Sequence, residues 1–247
     1  MPTKFTYYGG MCVMIERSDG YKILVDPFLS NNPATTVSVD DMSNVDLLLV
    51  THAAYDHYGD TAQIMKKGKA FIVAGTEVLR KAEKELGYEI DADRKGGTIY
   101  GDERCFGETI VRTVIAHHGS NTIENGGVAA CYMPFGFIVH VERGMTYYHT
   151  GDTSIFGDMR MLRELYRPNV MCVGIAGITE AFPCEMTPRE AAMATMWVGP
   201  EVVIPTHYPP GSPALGEFTQ HVKSFAPETI VRQEVGKTFV CTPFSVM

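Results

Sequence analysis

The run Leu47-Leu48-Leu49-Val50, followed at once by Thr51-His52-Ala53-Ala54-Tyr55-Asp56-His57-Tyr58-Gly59-Asp60, constrains this chain more than any other segment. Four consecutive apolar residues read as a short buried strand. Two imidazoles and a carboxylate within six residues then lie on the loop where that strand ends. Side chains placed there can converge on one point.

The surrounding pattern alternates strand and helix. Cys12–Ile15 and Lys22–Val25 flank the turn Ser18-Asp19-Gly20 and predict a hairpin after an opening strand around Phe5-Thr6-Tyr7-Tyr8. Residues 60–67 predict a helix, 70–74 a buried strand, and 76–86 a helix with Thr76 as N-cap and Gly87 as its stop. Further strands are expected at 109–116, 136–142, 145–149, 169–175 and 201–204, with a helix at 158–166. Thr187-Pro188-Arg189-Glu190 is a capping box with proline at the first helical position, which starts a helix running to about Trp197. No repeat, low-complexity tract or linker divides the chain, so a single domain over 1–247 is expected.

The polar residues fall on this map in a regular way. His52, Asp56 and His57 follow one apolar strand, His117 and His118 a second, Asp152 a third and His207 a fourth. Ligands gathered from several strand ends are how an α/β sheet builds an active site along one edge. Imidazole nitrogen together with carboxylate oxygen suits zinc and neighbouring first-row metals, and hydrolysis needs an open position for water.

Composition removes several classes of partner. The chain has 247 residues, 45% of them hydrophobic, and a net charge of −8 with no basic block, so nucleic acid and anionic membrane are not expected partners. No apolar stretch reaches the roughly 20 residues that span a bilayer, and the N-terminus lacks the apolar core of a signal peptide. A cytoplasmic location is expected. The six cysteines show no CxxC pairing and read as free buried thiols of a reducing compartment.

Several segments, in order along nearly the whole chain, resemble the metallo-β-lactamase-fold hydrolases, and within them the branch that includes ascorbate-6-phosphate lactonase. They are Asp26-Pro27-Phe28 with Asn32-Pro33, the loop 51–60, Ala116-His117-His118-Gly119-Ser120, Thr150-Gly151-Asp152-Thr153, Met186-Thr187-Pro188 before Glu190-Ala191-Ala192, and Pro205-Thr206-His207-Tyr208. The resemblance implies a four-layer αβ/βα sandwich of α/β class. It implies metal ligation by His52, Asp56, His57, His118, Asp152 and His207, with Asp152 bridging two ions, and Zn²⁺ or Mn²⁺ as the metal. A homo-oligomer would also fit that branch.

This chain departs from the pattern twice. The family spacing H-x-H-x-D-H asks for histidine at position 54, and this chain has alanine. Gly10 stands where relatives often carry histidine. The first metal position therefore loses an imidazole while the second keeps Asp56, His57, His207 and a share of Asp152, so one or two ions per chain are expected, the second site being the tighter. His117 cannot easily substitute, because adjacent strand residues point to opposite faces.

The expected reaction is hydrolysis of a small lactone, ester or amide by metal-bound hydroxide, with Asp56 or Asp152 orienting the water and moving its proton. The alternatives are phosphodiester hydrolysis of a small metabolite and a catalytically impaired metal-binding member. Asp26 is expected either to hydrogen-bond a ligand histidine or simply to form an Asp-Pro turn. Asp60 is expected to cap the next helix or orient a ligand. Tyr55, Tyr58, Tyr208, Glu180, Phe182 and Cys184 are candidate pocket residues. His140, His149 and His221 are read as structural, and Met159, Met161, Met193 and Met196 as core filler.

Overall fold

The computed structural model describes residues 2–124, 127–179 and 185–242, with side chains outside 122–131. The chain forms two compact units, each discontinuous in sequence. The first comprises Met1–Tyr100, Gly119–Pro134 and Val235–Cys241, and the second Gly101–His118, Phe135–Glu234 and Thr242–Met247.

The first unit is built on a mixed seven-stranded sheet. Strands β1 (Thr3–Gly9), β2 (Cys12–Glu16) and β3 (Lys22–Val25) run antiparallel, and β4 (Leu47–Val50), β5 (Phe71–Ala74) and β6 (Lys95–Gly97) extend the sheet in parallel from β3. Every residue of β4 is buried, as a central parallel strand requires. Helices α1 (Tyr55–Tyr58), α2 (Thr61–Lys67) and α3 (Thr76–Leu86) follow β4 and β5. Leu24, Leu48 and Ile72 pack with Ile64 and Met65 of α2 and Val78 and Ala82 of α3 in one apolar cluster.

In the second unit, β7 (Glu103–Phe106) and β8 (Thr109–Ile115) form a hairpin. After the separate hairpin of β9 (Ser120–Glu124) and β10 (Gly127–Tyr132), which belongs to the first unit, β11 (Phe135–Glu142) pairs with β8 and with β12 (Met145–His149). Strands β13 (Val170–Gly174), β14 (Val202–Thr206) and β15 (Ile230–Val231) add in parallel. Helices α4 (Met159–Tyr166), α5 (Pro188–Val198) and α6 (Ala214–Phe225) connect them. Ile138, Tyr148, Met171 and Val203 pack with Met159, Ala192 and Phe218. The chain's last described strand, β16 (Thr238–Cys241), returns to the first sheet and pairs with β1.

Most expected elements form, but several details differ. The N-cap of α3 is Gly75, with Thr76 as the first helical residue. Glu77 folds back over it, so that a Cβ at position 75 would sit 2.3 Å from its Oε2 and require that side chain to move. Strands β6, β7, β15 and β16 escape the sequence pattern because they are short and mostly half-exposed. Helix α6 also escapes it, although Ala214, Phe218 and Val222 are spaced as one buried face. Of the cysteines, Cys12 and Cys172 are buried, but Cys105 is exposed and Cys241 half-exposed, because both lie on edge strands. Met161 is 53% exposed on the outer face of α4 and is not core filler. Among the described residues no helix is long and apolar enough to cross a membrane.

Candidate functional site

The loop after β4 is held by a set of contacts within the first unit. Asp26, at the end of β3, takes a left-handed backbone at φ 47°. This unusual conformation for a non-glycine residue aims its carboxylate at the neighbouring loop. Its Oδ1 accepts from the Thr51 amide at 2.8 Å, and its Oδ2 accepts from the Thr51 hydroxyl at 2.8 Å and lies 2.7 Å from His57 Nδ1. The alternative of a bare Asp-Pro turn is therefore set aside. With its proton held at Nδ1 by Asp26, His57 carries its lone pair on Nε2, which lies 3.7 Å from Asp56 Oδ2. Thr51 Oγ1 also lies 3.1 Å from His52 Nδ1, and the rings of His52 and His57 are 4.1 Å apart. His52, Asp56 and His57 are all buried.

Asp60 occupies the N-cap position of α2 but makes no side-chain cap bond. Its carboxylate instead accepts from the amides of Leu29 and Ser30, both at 2.9 Å, and from the Ser30 hydroxyl at 2.5 Å. Its role is to tie loop 27–30 to the histidine loop. Gly59 completes the joint: at φ 40°, a Cβ there would lie 2.3 Å from the Pro27 carbonyl oxygen. Gly10 has a local explanation too, since a Cβ there would meet the Phe28 ring at 2.9 Å. That ring packs edge-on against Tyr55, which is 56% exposed.

Helix α3 grips the same loop through residues spaced one helical turn apart. Ser120 Oγ donates to Glu77 Oε1 at 2.8 Å and accepts from the Ala53 amide at 3.2 Å. Lys81 donates to the Ala53 carbonyl at 3.2 Å and stands over the Tyr58 ring at 4.0 Å, while the Tyr58 hydroxyl donates to Glu85 at 2.8 Å. Burial pushes the Glu77 carboxyl pKa up and the Lys81 ammonium pKa down. The Tyr58 phenol is raised by burial first and by Glu85 second. Tyr58 is thus a packing residue of the loop rather than a pocket residue. Thr51, Glu77 and Lys81 were not singled out from sequence, although 77, 81 and 85 share one helix face.

In the second unit, His118, Asp152 and His207 follow β8, β12 and β14. His207 has a left-handed backbone at φ 57°, the second such strain beside a candidate ligand. Its Nδ1 donates to the Ala176 carbonyl at 2.8 Å, and its Nε2 lies 3.4 Å from Asp152 Oδ2. His118 Nε2 lies 3.8 Å from the same oxygen. Glu185 joins this group, with its carboxylate 4.0 Å from His118 Nδ1 and 3.3 Å from His207 Nδ1. One atom each of His118, Asp152 and Glu185 lies within 4.8 Å of the others. Nothing in the sequence around Glu185 singles it out.

The donor set fits a divalent metal. Bonds of about 2.0–2.2 Å place two ligands of one tetrahedral ion roughly 3.4 Å apart, close to the separations around Asp152. These pairs bring nitrogen and oxygen donors together, with Asp152 and His207 buried. His117 turns away and packs its ring on Phe156 at 4.8 Å. His140 bonds Thr146, His149 bonds the Tyr147 hydroxyl and His221 stacks on Phe225, so all three are structural. Tyr208 is half-buried, and Glu180, Phe182 and Cys184 lie outside the described residues.

Residues 21–208 match the model of the beta-lactamase superfamily domain. A UPF0173 metal-dependent hydrolase of Rubrobacter xylanophilus is 34% identical over 92% of this chain and 91% of its own length. One of Methanopyrus kandleri is 35% identical over 96% and 99%. Among solved structures, a metallo hydrolase from the archaeon Ignicoccus hospitalis aligns with a TM-score of 0.77 at 29% identity, covering 98% of this chain and all of that one. The metallo-beta-lactamase fold protein YhfI of Bacillus subtilis aligns at 0.70 and 14% identity over 97% and 99%, a likeness of fold alone. With strand-end histidines and carboxylates arranged as above, the chain belongs to the beta-lactamase superfamily and is a metal-dependent hydrolase of the metallo-β-lactamase fold.

Proposed function

We propose that the chain hydrolyses a small cyclic or acyl substrate, a lactone, ester or amide, with divalent metal held by His52, Asp56, His57, His118, Asp152 and His207. A bound ion would lower the pKa of water from about 15.7 towards 7 and polarise the attacked carbonyl. The protein's own part is positional. Asp26 and the Ala176 carbonyl hold the protons of His57 and His207 at Nδ1 and so turn each Nε2 outward as a donor. Asp56 or Asp152 accepts a proton from the attacking water as its oxygen bonds to the carbonyl carbon. That proton then passes to the departing alkoxide or amine, giving an acid and an alcohol or amine.

The observation that carries acyl over phosphoryl chemistry is the ordered run of motifs, from Asp26-Pro27-Phe28 to Pro205-Thr206-His207-Tyr208, that resembles the lactonase branch. Zinc and manganese both suit imidazole and carboxylate donors. A net charge of −8 with no basic block favours a small-molecule substrate over nucleic acid or an anionic membrane. A panel of lactones, aryl esters and chromogenic phosphodiesters, assayed with zinc and with manganese, tests the proposal. Turnover of the acyl compounds is expected; turnover of the diesters alone would overturn it.

A further inference from the structure

We infer that Glu185 is itself a metal ligand, forming with His118 and Asp152 an oxygen-rich site that prefers Mn²⁺ or Fe²⁺ over Zn²⁺. This inference rests on the metal-dependent reading above and adds to it a residue and a metal preference. Three observations within the second unit carry it. First, one nitrogen of His118 and one oxygen each of Asp152 and Glu185 lie within 4.8 Å of one another, a cluster that small side-chain rotations close around a single ion.

Second, the separation of Glu185 from His118 suits shared coordination better than hydrogen bonding. Glu185 Oε1 lies 4.0 Å from His118 Nδ1, beyond hydrogen-bond length but within the roughly 3–4.4 Å that separates two ligands on one ion with bonds of about 2.1–2.2 Å. The Nδ1 proton of His207 already goes to the Ala176 carbonyl at 2.8 Å, so Glu185 is not required to orient that ring.

Third, the Asp152 and Glu185 side chains are only 5% and 13% exposed. Two carboxylates so near each other and so little hydrated repel unless a cation lies between them. A second carboxylate beside Asp152 makes the donors harder than the imidazole-rich sets that select zinc, which moves preference towards manganese and ferrous iron.

The test uses the full-length protein, stripped of metal and dialysed separately against Mn²⁺, Fe²⁺ (anaerobically) and Zn²⁺, with bound metal measured by elemental analysis. Wild type is expected to hold Mn²⁺ and Fe²⁺, and Glu185→Gln to weaken Mn²⁺ binding by roughly a hundredfold while Zn²⁺ binding falls less. The melting temperature of the metal-free variant should match that of metal-free wild type. Crystals soaked in Mn²⁺ should show anomalous density bonded to a Glu185 oxygen. Density bonded to His118 and Asp152 while Glu185 stands off, or unchanged Mn²⁺ binding in Glu185→Gln, would overturn the assignment of Glu185 alone. A wild type that retains none of these metals would instead overturn the metal-dependent reading itself. A variant that melts lower without metal, with no selective loss of Mn²⁺, would mark Glu185 as merely structural and also refute the assignment.

Discussion

Asp26 Oδ2 lies 2.7 Å from His57 Nδ1, both side chains fully buried, and the same carboxylate holds the amide and hydroxyl of Thr51. One residue at the end of β3 thus fixes both the backbone and the imidazole of the loop after β4. Asp26→Asn should keep the size of the side chain but remove the charge that anchors the His57 proton. Metal affinity, read by competition with a chromogenic chelator, is expected to fall about 10–100-fold. Unchanged affinity would show that the His57 ring is held by something other than Asp26.

Glu77 gives a pH prediction. Its ordinary carboxyl pKa is 4.5, and burial raises it in the folded protein. Between the unfolded and folded values the native state binds more protons than the unfolded chain, so stability is greatest below the unfolded pKa and is lost as pH rises through the folded pKa. Melting temperatures of metal-free protein between pH 4.5 and 8 should therefore show a downward slope assignable to this group. Glu77→Gln should flatten the slope and melt above wild type at pH 8. A variant that melts below wild type at pH 8 would mean that the charged form is favoured by its contacts with Ser120 and the start of α3.

The grip of Lys81 on Ala53 and Tyr58 is a stability statement. Lys81→Met keeps the aliphatic stem but loses a hydrogen bond to a backbone carbonyl and a cation–π contact. A loss of about 1–2 kcal/mol is expected from denaturant midpoints. Burial disfavours the charged form of this lysine in the folded state, so wild type gains stability relative to the variant as pH rises through the lowered pKa, and the loss should be larger at high pH. No change in midpoint would remove Lys81 from the loop's support.

What the sequence made legible follows from physics that is local. Leu47–Val50 is apolar throughout because a central parallel strand is buried on both sides, so the strand and the loop after it could be read directly. The Thr187–Glu190 capping box fixed the start of α5 for the same reason, since its donors and acceptors lie three residues apart. Glu185 and Glu77 were invisible because their partners are 22 to 67 residues away and nothing in their own neighbourhood marks them. Strands β7 and β16 were invisible because an edge strand with alternating exposure and four residues carries little hydrophobic signal.

Ala54 offers a gain-of-binding prediction. It stands at the start of α1, where its carbonyl accepts from the amides of His57 and Tyr58, and its side chain supplies no donor. Ala54→His adds an imidazole to a loop whose backbone is already held by Asp26, Ser120 and Lys81. Bound zinc per chain, measured after dialysis without chelator, is expected to rise towards two. An unchanged metal content would mean that the loop cannot direct a side chain at position 54 towards an ion.

The most direct measurement is lactone hydrolysis by metal-free protein, by the same sample after zinc or manganese is restored, and by Asp152→Ala treated identically. Asp152 stands 3.4 Å from His207 and 3.8 Å from His118, so its loss should abolish metal retention and turnover together. The expected result is no turnover without metal, recovery on reloading in wild type, and no recovery in the variant. Equal turnover by metal-free and reloaded wild type would contradict the account.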